Sequence, residues 1–497
     1  MNLKNLKHVL SLHNLLLIGL ALVILAPVFY YGLPWFDNGP DIYYAKAKLL
    51  QVQQGNIFAD PITGYDTFHP PLFHLILYAL MATGLSVNTC LILLTVIYIV
   101  FMIFLTYRII EFTFDKDIAL YTTLLISFIF EFMGSRNILL ATSFNISIPF
   151  FLWGLLLYLK SGDSIKRVIV TSFLWGVAFL FSPVYLFLLI AIAARDYIAY
   201  RSIKRLTLAG LTFLITITLF IVQAITVYPQ GLQHSRAFSL WHGFPGIKFW
   251  NDAILQFFYS NPPYAKTFYG LIAVVIIILA LIHIIKSKKC FWVIPAFAIA
   301  YFFTFYHFSD QYALRVGLFL SIFVVGYAIS FLSGAVKNKT LLNILVFMVT
   351  FLSIYNLYND ALKNYRVWTN DLKSQDVIGE TFWQNIDRLL NDNEFILTSR
   401  GTYFYYVMIY KPIHALGAYK TLDYYQLDSA ISDEMEADYV LLTTTTNIDT
   451  INNIAQKYNA RTAVFSGPDY ESSLFQTLAP KWKLAYRDKY ISVFKRP

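Results

Sequence analysis

Cysteine is almost missing from this chain: 497 residues carry only Cys90 and Cys290. The two fall near the ends of different apolar runs that the topology argued below puts on opposite sides of a membrane. They therefore cannot pair, and no disulfide framework holds the fold. Charge is scarce too, at 13% Asp, Glu, Lys and Arg against 58% hydrophobic and 18% aromatic residues. A soluble fold of this length could not stay in solution with that balance, so the chain reads as an integral membrane protein. The formal net charge of +9 does not point to nucleic acid. Its basic residues sit in short loops between apolar runs, where a positive-inside bias explains them, and not on one folded face. The N-terminal "MNLKNLKHVLSLHNLLLIGLALVILAPVF" starts like a signal peptide, but its apolar stretch is too long and no small-residue cleavage site follows. It reads as a retained signal anchor.

A crossing needs roughly 20 apolar residues. Runs of this kind cover 14–33, 90–108, 118–134, 143–159, 168–182, 183–195, 206–228, 268–285, 290–307, 314–333 and 341–358. The stretch 70–84 is short. If it lies in the outer interface without crossing, the clusters Lys4/Lys7, Arg108/Lys116, Lys160/Lys166/Arg167, Arg195/Arg201/Lys204/Arg205, Lys286/Lys288/Lys289 and Lys337/Lys339 all become cytoplasmic. The expected fold is a polytopic α-helical membrane protein of about 11 spans, with 11 to 13 allowed. Its N-terminus is cytoplasmic, and a hinge at Ser182 and Pro183 separates two short spans.

Three segments then face outward: 34–89, 229–267 and 359–497. The membrane domain ends near 358. The last segment reads as a small extracytoplasmic α/β domain of about 135 residues. Strand-like "EFILTS" and "DYVLLTTTT" alternate there with helical "TFWQNIDRLLND" and "IDTINNIAQKYNA", and "KLAYRDKYISVFKR" closes as a hairpin. That domain has no glycine-rich phosphate loop, no metal-spaced His/Cys cluster and no nucleophile elbow. It reads first as a cap on the outer loops, with carbohydrate or acceptor binding by "GTYFYYVMIY" and "LDYYQLD" as the other reading.

The first outer segment carries carboxylates just outside the membrane. In "WFDNGPDIYYAKAKLLQVQQG", Asp37 and Asp41 precede a half-apolar interfacial helix on which Lys46 and Lys48 can snorkel to headgroups. Either carboxylate could serve only as a helix cap. A loop with Asp60 and Asp66 follows, then "FHPPLFHLILYALMATG", a second interfacial helix with His69 at its positive end. Arg315 in "QYALRVG" is a lone cation within an apolar run, a placement that usually faces the bundle or a water-filled cavity. Arg136 in "GSRN" stands near Glu131, so an ion pair competes with a binding role. In 229–267, His234, Arg236, Trp241, His242 and Lys248 mix cations with aromatics, as either a lipid-linked sugar phosphate site or an interfacial belt would. The spacing of the two histidines fits no standard metal pair.

The order of these pieces carries a resemblance. A first span, an outward Asp, "YYAKAKLL", "HPPLFHLI", "SRNILLATSFN" and "SDQYALRVG" together resemble the GT-C superfamily of integral-membrane glycosyltransferases, which includes protein O-mannosyltransferases and the lipid A aminoarabinose transferase. The resemblance covers the chain to about 358. It implies a donor sugar on a polyprenyl phosphate, transferred at the outer face of a plasma membrane to a glycan, lipid or protein hydroxyl. Asp41 is then the first choice for the base and Asp37 its competitor, since the commoner Asp-Glu pair is missing here. His69, Arg315 and Arg136 are the expected holders of the donor phosphate. Tyr44, His234, Arg236, His242 and Lys248 are the expected substrate contacts. Some relatives use a divalent metal such as Mg or Mn and others none, so the cofactor stays open. The Trp-Trp-Asp-Tyr-Gly motif expected of an oligosaccharyltransferase subunit is missing from the outer domain. A flippase or transporter of lipid-linked sugars is the alternative; against it, the runs show no internal repeat and almost no acidic residues at their centres.

Overall fold

The computed structural model describes residues 12–31, 41–61, 64, 70–132, 138–139, 141–162, 164–227, 268–286, 292–307, 310–336, 338–374, 380–398, 411–416, 429–466, 470–489 and 491–497. They form two compact units. One draws on the described residues within 1–37, 88–221 and 240–363, the other on those within 38–87, 222–239 and 364–497.

The first unit is a helical bundle. Each of the eleven apolar runs is helical over most of its described length, in elements that include Leu12–Tyr31, Val87–Thr113, Ser143–Leu159, Ile165–Phe181, Phe268–Lys286, Val293–His307 and Asp310–Ala335. Among the described residues five helical segments are long and apolar enough to cross a membrane: Leu12–Tyr31, Val87–Thr113, Pro183–Tyr200, Ala313–Ala335 and Lys339–Asn359. Two runs are broken. Residues 118–134 divide into Lys116–Leu124 and Ile126–Phe132, and 206–228 divide into Ile203–Thr216 and Thr218–Val227, the latter pair bent by 63°. Neither break holds Pro or Gly. Threonine hydroxyls bond back along the helix at each break: Thr123 donates to Ala119 O at 2.7 Å in the first, and in the second Thr212 donates to Leu208 O at 2.8 Å, Thr216 to Thr212 O at 2.7 Å and Thr218 to Ile215 O at 2.6 Å. Such back-bonding competes with the helical ladder and bends it. The hinge at Ser182 is present, with Ile165–Phe181 ending there and a 3-10 turn over Pro183–Tyr185 starting the next helix.

Asp310–Ala335 is the central helix, packed by Phe268–Lys286, Val293–His307 and Lys116–Leu124. It buries residues around its whole circumference, including Leu314, Val316, Leu318, Phe319, Phe323 and Tyr327. A helix apolar on all sides belongs inside a bundle. On the far edge, Arg205 lies 2.8 Å from Asp196 through Nε and 3.0 Å through a second nitrogen. Its remaining donors reach Gly162 O at 2.5 Å and Ser161 Oγ at 3.1 Å, which ties three helix ends together.

The second unit joins the first outer segment to the C-terminal domain. Asp41–Gln53 packs on Leu72–Met81, a helix of 10 residues that at about 1.5 Å per residue is too short to span a bilayer. The sheet has strands β1 Phe395–Leu397, β2 His414–Ala415, β3 Thr462–Ser466, β4 Lys483–Arg487 and β5 Ile491–Lys495. Their order is β2-β1-β3-β5-β4, with the β1 pairings parallel and the β3–β5 and β4–β5 pairings antiparallel. The hairpin over "KLAYRDKYISVFKR" is therefore present. One face of the sheet holds Phe465 and Phe494 in a core with Met435, Leu442, Ile451, Ile454 and Leu474.

The expected strand "DYVLLTTTT" is corrected: it is the second half of the helix Ser429–Thr444. The upstream "DEMEA" is rich in helix formers. Met435 and Leu442, seven residues apart, face the core while Val440 and Leu441 point outward, a helical and not an alternating pattern. Thr443 and Thr444 satisfy their hydroxyls on the carbonyls of Tyr439 and Val440 at 2.9 and 2.7 Å.

Candidate functional site

The first unit holds a buried cation. Arg315 sits near the start of the central helix, only 6% exposed, with its guanidinium carbon 5.3 Å from the Phe144 ring centroid. Phe144 stands at the start of Ser143–Leu159, where Thr142 caps the helix by accepting from Asn145 N at 3.1 Å. One turn along, Ser147 Oγ lies 2.6 Å from the Tyr185 hydroxyl on the Pro183–Tyr185 turn. Tyr185 stacks on Phe151 at 4.8 Å and on Phe144 at 6.1 Å. Tyr98, on Val87–Thr113, is fully buried with its hydroxyl near the Asn145 side chain. Four helices thus bring Arg315, Tyr98, Asn145, Ser147 and Tyr185 to one buried place. A cation held against an aromatic face and hydroxyls in an apolar bundle can stabilise an anion. Of these five only Arg315 is visible as a site residue in the sequence. The others are single polar residues scattered over residues 98–185, with no motif to join them.

The second unit holds the first outer segment. Asp41 opens the helix Asp41–Gln53 and Tyr44 lies in its first turn; the side chains of both are outside the described part. The expectation that Lys46 and Lys48 snorkel is corrected for Lys48. It is fully buried, and its ammonium donates to the carbonyl of Ala59, so it fastens the following loop to the helix. Lys46 is half-buried, and desolvation lowers its pKa to about 8. Asp60 is fully buried in the same loop. Asp37, His69, Arg136, His234, Arg236, His242 and Lys248 lie outside the described residues. Among the described residues no group of three His, Cys, Asp or Glu side chains is placed to hold a metal ion.

His414 meets that loop from the sheet. Its Nδ1 lies 3.1 Å from Pro61 O, so Nδ1 carries the proton, and the Phe395 ring packs on it, tilted by 48°, at 5.3 Å. Burial lowers the His414 pKa, partly offset by the Pro61 bond and the charge of Asp60. An unfolded chain therefore takes up a proton at a higher pH than the folded one, and stability falls as pH drops below the ordinary histidine value. We expect the melting temperature to fall between about pH 7 and 5, and the slope to shrink in His414→Asn, measured by a melting series in detergent.

No family model matches the chain, and no curated protein matches it in sequence. Solved structures do match in architecture, and this chain shares their fold. ArnT from Cupriavidus metallidurans bound to undecaprenyl phosphate aligns with 14% identity and a TM-score of 0.60, covering 97% of both chains. The Archaeoglobus fulgidus oligosaccharyltransferase tethered to an acceptor peptide aligns with 11% identity and a TM-score of 0.52, covering 98% of this chain and 74% of its own. AglB from the same archaeon, in complex with an inhibitory peptide and a dolichol-phosphate, gives 12% identity and a TM-score of 0.52, covering 91% of this chain and 69% of its own.

Proposed function

We propose that the protein is a glycosyltransferase that moves a sugar from a polyprenyl-phosphate donor to an acceptor hydroxyl at the outer face of a plasma membrane. The observation that carries this reading is the match in fold along 97% of the chain to ArnT holding undecaprenyl phosphate. The buried Arg315 supports it, because a cation in an apolar bundle has a reason to be there if an anion is to be neutralised.

In this reading the acceptor oxygen attacks the anomeric carbon and a new C–O bond forms there. The bond from that carbon to the phosphate oxygen breaks, and its electron pair leaves with the polyprenyl phosphate. Charge builds up on an oxocarbenium-like sugar and on the departing phosphate. Asp41 takes the acceptor proton, with Asp37 as its competitor. Arg315, His69 and Arg136 are the groups assigned to the phosphate, and Tyr44, His234, Arg236, His242 and Lys248 to the remaining substrate contacts.

The direct test is mass spectrometry of lipids retained by the detergent-extracted protein, followed by transfer from the retained donor to a hydroxyl acceptor. A retained polyprenyl-phosphate sugar that turns over supports the reading. Retention without turnover favours a flippase, and no retention removes the donor assignment. Arg315→Ala is expected to weaken binding of undecaprenyl phosphate about 10- to 100-fold, the loss of one charged hydrogen bond. Arg315→Lys should keep part of that affinity, and equal affinity in all three proteins would take Arg315 out of the site.

A further inference from the structure

The helix that starts at Asp41 ends at Gln53, and its last turn is not left to the membrane. Gln51 Nε2 donates to Asn393 Oδ1 at 3.2 Å, and Asn393 Nδ2 donates to Gln54 Oε1 at 3.2 Å. Gln54 Nε2 reaches Asp392 at 3.4 Å, and Asp392 pairs with the buried Lys411 at 3.4 Å. Lys411 also holds Asp387 at 2.7 Å, so the chain of contacts runs from the helix end into the C-terminal α/β domain. Asn393 has a φ of 56°, a left-handed conformation that asparagine tolerates and that turns its amide toward the glutamines.

A second contact lies ten residues on. His414 donates to Pro61 O, and Gly64, with a φ of +73°, presses on the other side of the same ring. A Cβ built on Gly64 would stand 2.7 Å from His414 Nε2 and 2.9 Å from Cδ2. His414, on the edge strand β2, and Asn393, just before β1, lie at the same end of this strand pair, because His414 N bonds Glu394 O at 2.9 Å and Asn393 N bonds Pro412 O at 2.5 Å. This end of the β1–β2 pair therefore grips both the end of the helix and the loop that follows it. The buried Lys48, bonded to Ala59 O, ties helix and loop together between these two points.

We propose that Asn393 and His414 are positioning residues: from the C-terminal α/β domain they fix the end of the Asp41–Gln53 helix and the loop to Gly64, and so set where Asp41 stands. This rests on the proposed function for its catalytic consequence. A helix of 13 residues is a stiff lever, and a shift of about 1 Å at a reacting group costs on the order of 10²-fold in rate. The C-terminal domain then acts in transfer without touching the sugar.

The test uses the full chain in detergent and reads hydrogen–deuterium exchange of residues 51–64. His414→Ala is expected to raise exchange there at least about tenfold, with the sheet amides of β3 and β5 unchanged. His414→Asn keeps a donor where Nδ1 stands and should restore protection. Gly64→Ala should raise exchange in the wild-type background, since a φ of +73° strains any side chain there and the new methyl also meets the His414 ring. In turnover, His414→Ala should lower kcat by about tenfold and change the Kd for undecaprenyl phosphate less than twofold, and His414→Asn should recover kcat. Unchanged exchange in His414→Ala, or no restored protection in His414→Asn, overturns the proposal. The expected exchange pattern in a protein that transfers no sugar would uphold the grip and remove the glycosyltransferase reading alone.

Discussion

Asp41→Asn is expected to reduce sugar transfer by roughly 10²- to 10⁴-fold, the range a positioned general base supplies. The substitution separates two roles that one carboxylate could have at the start of Asp41–Gln53. Asparagine caps a helix about as well as aspartate, so a residue that only caps would leave folding and turnover near the wild-type level. It cannot take a proton from the acceptor, so a residue that acts as base loses its chemistry while the protein still folds. The measurement is kcat with the lipid donor retained by the wild type, beside folded yield and the Kd for undecaprenyl phosphate. Loss of kcat with yield and Kd unchanged assigns the base. Full activity in Asp41→Asn together with loss in Asp37→Asn would move the role four residues back along the chain.

The bundle was largely legible because membrane helices are written as long apolar runs. Every run named from the sequence is helical over most of its described length, and the hinge at Ser182 falls where Pro183 announces it. The breaks at Leu125 and Ile217 were not legible, since no Pro or Gly marks them and the cause is side-chain hydroxyls turned back on their own helix. The C-terminal domain was harder. "DYVLLTTTT" has strand composition, and only the helix-forming stretch before it and the seven-residue spacing of Met435 and Leu442 decide for helix. The two residues of β2 are too short to announce themselves. The site divides in the same way. Arg315 stands out because a lone cation in an apolar run is rare, whereas Tyr98, Asn145, Ser147 and Tyr185 acquire meaning only when four helices meet. Lys48 misleads for a related reason: snorkelling is the default for a lysine on an interfacial helix, and only the loop returning over it supplies the Ala59 carbonyl that lets it stay buried.

Arg205→Ala is expected to destabilise the bundle by roughly 3–5 kcal/mol, the cost of leaving a buried charge without its partner. The Arg205 and Asp196 side chains are 4% and 10% exposed, and the guanidinium also donates to Ser161 Oγ and Gly162 O. Removing it would leave Asp196 uncompensated beside apolar helices and free the turn at 161–162 that it fastens. Tyr200 covers the cation at 4.0 Å, so the substitution also opens a packing gap. The paired variant Arg205→Met/Asp196→Leu removes both charges and should recover most of the loss, since a well-packed apolar pair often replaces a buried ion pair at little cost. Thermal inactivation in detergent, compared across the two single variants and the double, measures this directly. A double variant no more stable than Arg205→Ala would show that the bonds to Ser161 and Gly162 matter more than the charge pair. The same geometry bears on topology. Arg205 belongs to the basic cluster that the positive-inside rule places in the cytoplasm, yet here its charge is already balanced by Asp196. Arg201 and Lys204 should therefore hold the orientation of this loop, and an accessibility label at residues 201–204 should report the same side in Arg205→Ala as in the wild type.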